Sequence, residues 1–147
     1  MSHLQRASLS DLNELRSWIQ RYFSHDGLIF NDAVSAGVEE LLLHQEYGAA
    51  FFVLVDSRIV GYAVITYGFD HEVGGRLGVV TDLYLEEGAR GKGLGRKTLN
   101  QLIEFAGSEG LRSIELWVLE HNSDGKRFYE SLGFRSTADR NHMHLSI

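Results

Sequence analysis

The residues Arg90-Gly91-Lys92-Gly93-Leu94-Gly95 combine backbone without side chains and concentrated positive charge, the two properties that favour an anionic group. An apolar run from Leu77 to Leu85 leads toward the segment, and a helical pattern from Leu94 to Ala106 begins inside it. Amides at a helix start have no intrahelical acceptor and lie at the positive end of the helix dipole. Glycine lets a phosphate approach them closely. Arg90, Lys92, Arg96 and Lys97 gather here in a chain of net charge −6. Phosphate binding is the chemistry this turn suits. A dinucleotide fingerprint, G-x-G-x-x-G, fails because its third glycine would fall on Arg96, and because the turn lies mid-chain after a predicted hairpin. A P-loop fails at the same arginine, although Lys97-Thr98 follow in place. Nucleotide chemistry through a degenerate P-loop would require ATP binding that depends on Lys97.

A second constellation is Asn122-x-x-Gly125-x-x-x-Tyr129-x-x-x-Gly133-Phe134. Asn122 suits a helix N-cap, worth about 1 kcal/mol, and Tyr129 suits an aromatic helix face shared with Phe128 and Phe134. The seven histidines form no H-x-x-x-H pair, and alternation in a terminal strand explains His142-x-His144. With no cysteine there is no thiolate nucleophile and no Cys-based zinc site. No metal site is expected.

These groups need a scaffold, and hydrophobic periodicity supplies one. Leu4 to Ala7 reads as a short strand. A helix from Ser10 or Asp11 to about residue 23 follows, with Asp11-x-x-Glu14 at capping-box spacing. After a loop over residues 24–32, a second helix carries Val34, Val38, Leu41 and Leu42 toward a core and ends near Gly48. Ala50 to Val55 and Ile59 to Tyr67 read as a hairpin of buried strands around Asp56-Ser57-Arg58. Residues 68–75 read as a loop and Leu77 to Leu85 as a strand. The Leu94 helix, a strand over Arg112 to Leu119, a helix from about Asn122 to Leu132 and two terminal strands within residues 133–147 complete the order. Such an order implies an α/β chain of the α+β type, a mixed sheet with helices on its faces.

At 147 residues the chain is the size of one domain, and no linker or repeat divides residues 1–147. Sixteen glycines exceed the roughly 10 of average usage, and nine of them lie between residues 61 and 95. The acidic balance, with pI near 5.6, argues against nucleic acid as a partner and is compatible with a cationic substrate. No apolar run reaches a membrane span, and Met1-Ser2-His3-Leu4-Gln5-Arg6 has no apolar signal core, so no membrane partner and a cytoplasmic location are expected.

The pattern Arg-x-x-Gly-x-Gly from Arg90 to Gly95, after the strand Thr81-Asp82-Leu83-Tyr84-Leu85, resembles the pyrophosphate loop of the GNAT superfamily of N-acetyltransferases. The Asn122-to-Phe134 segment is similar to that superfamily's second signature. The specific motifs cover about residues 77 to 134, and the element order extends the likeness along the chain. The resemblance implies the acyl-CoA N-acyltransferase fold, a mainly antiparallel sheet of about 6–7 strands with four helices. It also implies acetyl-CoA as co-substrate, with no metal, and homodimers as a family tendency. Arg90, Gly91, Lys92, Gly93, Leu94, Gly95 and Arg96 would then hold the pyrophosphate through backbone amides. The strand before them would bulge and splay, so that Leu83, Tyr84 and Leu85 border a pantetheine slot, and the Leu83 N–H would polarise the thioester carbonyl. Asn122 would also contact coenzyme A.

Tyr129, the family's general acid by position, would also border the coenzyme and protonate the leaving thiolate. A phenol with pKa of about 10 stays protonated at neutral pH and lies near a thiol at about 8.5. An amine of pKa near 10.4 must also be deprotonated, at roughly 4 to 5 kcal/mol at pH 7. Asp82 is the first candidate for that base, directly or through water, followed by Glu120 and His121. The acceptor side falls to the loop between the first two helices (His25, Asp26, Phe30) and to the loop after the third strand (His71, Glu72, Gly74, Gly75). Asp26 and Glu72 could receive a cationic amine or simply be solvated. The activity implied is direct acetyl transfer to a primary amine of a small molecule, amino acid or peptide. A GNAT-like domain that senses acyl-CoA without turnover is the alternative.

Overall fold

The computed structural model describes residues 3–137 and 139–147. The elements in chain order are β1 (Leu4–Arg6), α1 (Leu12–Asp26), α2 (Asp32–Leu43), β2 (Gly48–Val55), β3 (Arg58–Asp70), β4 (Gly75–Leu85), α3 (Leu94–Ser108), β5 (Ser113–Glu115) and α4 (Ser123–Glu130). Short 3-10 turns occupy Leu9–Asp11 and Glu87–Ala89. The sheet order is β1-β2-β3-β4-β5. All neighbours are antiparallel except β4 and β5, whose parallel pairing is made possible by the α3 crossover. The expected class, a mixed and mainly antiparallel sheet with helices, is therefore observed. The chain divides into two compact units, one ending at Leu116 and the other Trp117–Ile147.

Within the first unit the sheet is covered on both faces, which is why β2 and β3 read as unbroken apolar runs. Leu15, Trp18 and Ile19 of α1 and Val38 of α2 pack on Ala50, Phe52, Tyr62 and Val64. The opposite parity faces α3, where Phe51 meets Phe105 edge-on with ring centroids 4.9 Å apart. Asn31 caps α2 by accepting from the Val34 N–H at 3.0 Å. The start of α1 differs from the expected capping box. Asp11 accepts the Ser8 N–H at 2.8 Å across the preceding 3-10 turn, while Glu14 accepts from Trp18 Nε1 at 3.0 Å.

Two further differences concern strands. The predicted loop over residues 68–75 shrinks to a turn, because Gly68, Phe69 and Asp70 continue β3 opposite Leu77, Arg76 and Gly75. The predicted sixth and seventh strands are not seen, and the sheet has five strands among the described residues. The strand expected over Arg112 to Leu119 is Ser113–Glu115. Met143, Leu145 and Ile147 alternate correctly, yet all are exposed, as are Trp117 and Leu119. Alternation marks one face of a ribbon, but a strand also needs a neighbour for its hydrogen bonds. Among the described residues no helix is long and apolar enough to cross a membrane.

Candidate active site

The pairing of β3 with β4 sets the geometry. It runs Gly61↔Leu85, Tyr62↔Tyr84, Ala63↔Leu83 and Val64↔Asp82, then skips to Ile65↔Val80, which makes Thr81 the extra residue of a bulge. Backbones approach closely here: a Cβ on Gly61 would lie 2.2 Å from the Tyr84 carbonyl oxygen, so no larger residue fits. On its other edge β4 pairs with β5 only through Leu77, Gly78 and Val79. Beyond Val79 no strand of the first unit lies beside that edge among the described residues. The Glu86 N–H donates to the Val60 carbonyl at 2.9 Å. Antiparallel alternation then directs the backbone of Tyr84 and Asp82 toward β3 and that of Leu83 and Leu85 toward the open edge. Arg90 Nε donates to the Leu85 carbonyl at 2.8 Å, so the edge offers the amides of Leu83 and Leu85 together with the Leu83 carbonyl.

This edge leads to the glycine turn. Leu85 and Leu94 pack with Val53, Val60 and Ala89, anchoring both ends. Gly91 and Gly93 are left-handed, at φ 73° and 76°, and Gly93 is the N-cap of α3. L-residues resist that conformation, which explains glycine at both positions. No side chain caps α3, and a Cβ on Gly91 or Gly93 would meet nothing within 4 Å. The amides of Leu94 and Gly95 therefore begin a helix whose open end suits an anionic phosphate. Two of the cations hold the turn's own backbone: Arg90 takes the Leu85 carbonyl, and Lys92 Nζ donates to the Gly88 carbonyl at 2.9 Å.

The side chains of Asp82 and Tyr84 project to the α1 and α2 face. Tyr62, fully buried, donates its hydroxyl to Asp82 Oδ2 at 2.7 Å. Burial pushes the Asp82 carboxyl above its ordinary range, against the hydrogen bonds from Tyr62 and Thr81. Burial and the Asp82 charge push the Tyr62 phenol far upward, so it remains a donor at any working pH. Tyr84 joins an aromatic cluster with Tyr22 at 5.8 Å and Trp18 at 6.4 Å between centroids, and the Arg90 guanidinium lies 5.4 Å from its ring centre. Asp82 also borders an open, mostly apolar pocket of about 330 Å³ shared with Phe23 of α1, with Val34, Val38 and Leu41 of α2, and with Val64 of β3.

The family model described as the acetyltransferase (GNAT) family matches residues 12–134, which span all of these features. The chain belongs to the GNAT family. An uncharacterized N-acetyltransferase of Methanocaldococcus jannaschii is 28% identical over 94 residues, which is 63% of this chain and 42% of that relative. Another, from Archaeoglobus fulgidus, is 24% identical over 135 residues, covering 90% of this chain and 92% of the relative. The chain spans about half the length of several curated relatives it matches, such as the 51% of an uncharacterized N-acetyltransferase from Mycobacterium bovis. Among solved structures, an integron cassette protein from the mobile metagenome of Cole Harbour Salt Marsh superposes with a TM-score of 0.85 at 25% identity, covering 99% of this chain and 90% of that one.

In GNAT proteins acetyl-CoA is the general co-substrate, and the open β4 edge with the uncapped α3 fits such a ligand. Among the described residues no cluster of three or more His, Cys, Asp or Glu could hold a metal ion. Asn122 and Tyr129 belong to the second unit. Asn122 Oδ1 accepts the Gly125 N–H at 3.0 Å, and a Cβ on Gly125 would lie 2.6 Å from the Asn122 amide, so glycine there makes room for the cap. Tyr129 packs on Phe128 and Phe134 at 5.2 and 5.9 Å, and burial raises its phenol above the usual range. Of the residues assigned to the acceptor, Phe30 packs edge-on against Phe23 at 6.0 Å. Asp26 is engaged by His25 Nδ1 at 2.8 Å. Glu72 lies in the β3–β4 turn, where its N–H donates to Asp70. Asp82 stands seven residues along β4 from Gly75, roughly 23 Å of strand away from that turn.

Sequence reasoning missed Tyr62. Its place diagonally across from Asp82 follows from the β3–β4 register, and the signal was the alternation shared by Tyr62 and Val64 on one strand and Asp82 and Tyr84 on the other.

Proposed function

We infer that this GNAT protein is an acetyl-CoA-dependent N-acetyltransferase that transfers acetyl directly to a primary amine. The observation that carries the reading is the end of the β4–β5 pairing at Val79, which leaves the Leu83 amide on an open edge leading to the uncapped start of α3. Acetyl-CoA would supply a thioester, an electrophilic carbonyl with a thiolate leaving group. The Leu94 and Gly95 amides would hold its pyrophosphate, and the Leu83 N–H would donate to the carbonyl oxygen as negative charge develops there. Asp82, made more basic by burial, would accept the proton that frees the lone pair of the ammonium, directly or through water, and solvent would take the second proton that nitrogen loses once the N–C bond has formed. By its place in the family's second signature, Tyr129 would be the group that gives its proton to the departing thiolate as the C–S bond breaks, and solvent would restore both groups. With no cysteine in the chain, no acetyl-cysteine is formed on the way.

Thermal shift with acetyl-CoA, ATP and NAD, combined with thiol release over a panel of amines, tests this reading. Stabilisation by acetyl-CoA with amine-dependent thiol release is expected. Stabilisation by ATP alone would overturn it, and acetyl-CoA binding without release to any amine would point to sensing instead.

A further inference from the structure

The cavity beside Asp82 has a composition that discriminates among amines. Its walls are mostly aliphatic and aromatic, and Asp82 is the single charged group among the residues that border it. At about 330 Å³ it lies at the lower end of small-ligand pockets. One position on its wall is a glycine in the middle of α2. Glycine weakens a helix interior relative to alanine, yet a Cβ on Gly37 would meet nothing within 4 Å, so no close contact in the fold requires glycine there. Gly37 is exposed at the border of the pocket, so it is the position from which a bulky side chain would narrow the mouth.

We propose that this cavity receives the apolar substituent of the acceptor, with its ammonium group at Asp82, so that the acceptor class is aliphatic or aromatic primary amines without an α-carboxylate. This rests on the acetyltransferase reading above and narrows it. A carboxylate on the acceptor would face the like charge of Asp82, with no lysine, arginine or histidine among the bordering residues to offset the repulsion. A polyamine would bring a second ammonium against the apolar walls and find no second carboxylate. Burial of one aromatic or branched side chain supplies at least about tenfold in affinity.

The test compares thiol release from acetyl-CoA with 2-phenylethylamine and isoamylamine against phenylalanine, leucine and spermidine. The first two should exceed the others by at least about tenfold in kcat/KM. In parallel, 2-phenylethylamine is titrated into the full chain while the methyl NMR signals of Val34, Val38 and Leu41 are followed, and these should move. Gly37→Leu should lower the ratio of kcat/KM for 2-phenylethylamine to that for ethylamine by about tenfold. Gly37→Ala, which the backbone accommodates, should lower it in the same direction by less. Preference for the amino acids or spermidine, or turnover of 2-phenylethylamine with those methyl signals unmoved, overturns the assignment while leaving acetyl transfer intact. Methyl shifts without thiol release from any amine keep the binding site and overturn the transferase reading. Neither shifts nor release overturns both.

Discussion

Replacing Tyr62 with phenylalanine isolates the contact that sets the Asp82 carboxylate. The ring remains in a site with no solvent exposure, and only the hydroxyl that donates to Oδ2 at 2.7 Å is removed. Hydrogen bonds to charged groups contribute about 1.5–3 kcal/mol. Asp82 is half-buried and keeps its bond from Thr81, so the lower part of that range applies, about 1.5–2 kcal/mol. For a chain of this size the melting temperature should fall by about 3–8 °C. The sign with pH is specific. Burial already holds the Asp82 carboxyl above its unfolded value, so ionisation of this group costs stability. That cost is absent below the unfolded pKa and complete above the folded one. Losing the Tyr62 donor raises the folded value further, so the deficit of the variant should be small in acid and grow as pH rises. The acidic limb of kcat/KM should move to higher pH in the same variant. Thermal melts and rate profiles of both proteins between pH 4.5 and 8.5 measure each effect. A deficit independent of pH, or an unmoved acidic limb, would refute the coupling of Tyr62 to a catalytic Asp82.

Three further outcomes follow from named contacts. Tyr129→Phe keeps the ring packing on Phe128 and Phe134, so steady-state kinetics should show kcat reduced by roughly 100-fold or more with acetyl-CoA affinity retained; unchanged turnover would remove the acid role. Gly93→Ala forces a side chain to φ 76°, and should cost about 1–2 kcal/mol in denaturant melts while weakening acetyl-CoA in calorimetry by at least severalfold. His3 is buried, bonded through Nε2 to Thr98 Oγ1 at 3.0 Å, and its pKa is lowered first by burial and then by Lys97. The folded state thus binds fewer protons than the unfolded chain, and stability should decline as pH falls through about 6.5. Melts of His3→Gln between pH 7.5 and 5.5 should show a flatter slope.

The phosphate-type turn was legible because its message is local: glycines, a helix start and basic residues lie within eight positions of one another. The cap at Asn122 was legible for the same reason. The terminal strands were misread because Met143, Leu145 and Ile147 carry a strand's alternation without a strand's partner. The turn at residues 71–74 was overestimated because Gly68 looks like punctuation in a sequence but sits in register opposite Leu77.

Sequence by itself determined the types of the helices and of the first five strands, the glycine turn at the start of α3, the family signatures and the absence of a cysteine nucleophile. Each depends on neighbours in the chain or on composition alone. Tertiary structure decided that Thr81 is the bulge, that Leu83 faces an open edge, that Arg90 and Lys92 fold the turn, and that Asp82 borders an apolar pocket. Those features depend on register, and one residue of slip sends each side chain to the opposite face. Tyr62 and Asp82 stand twenty positions apart in the chain and meet only because β3 and β4 pair as they do.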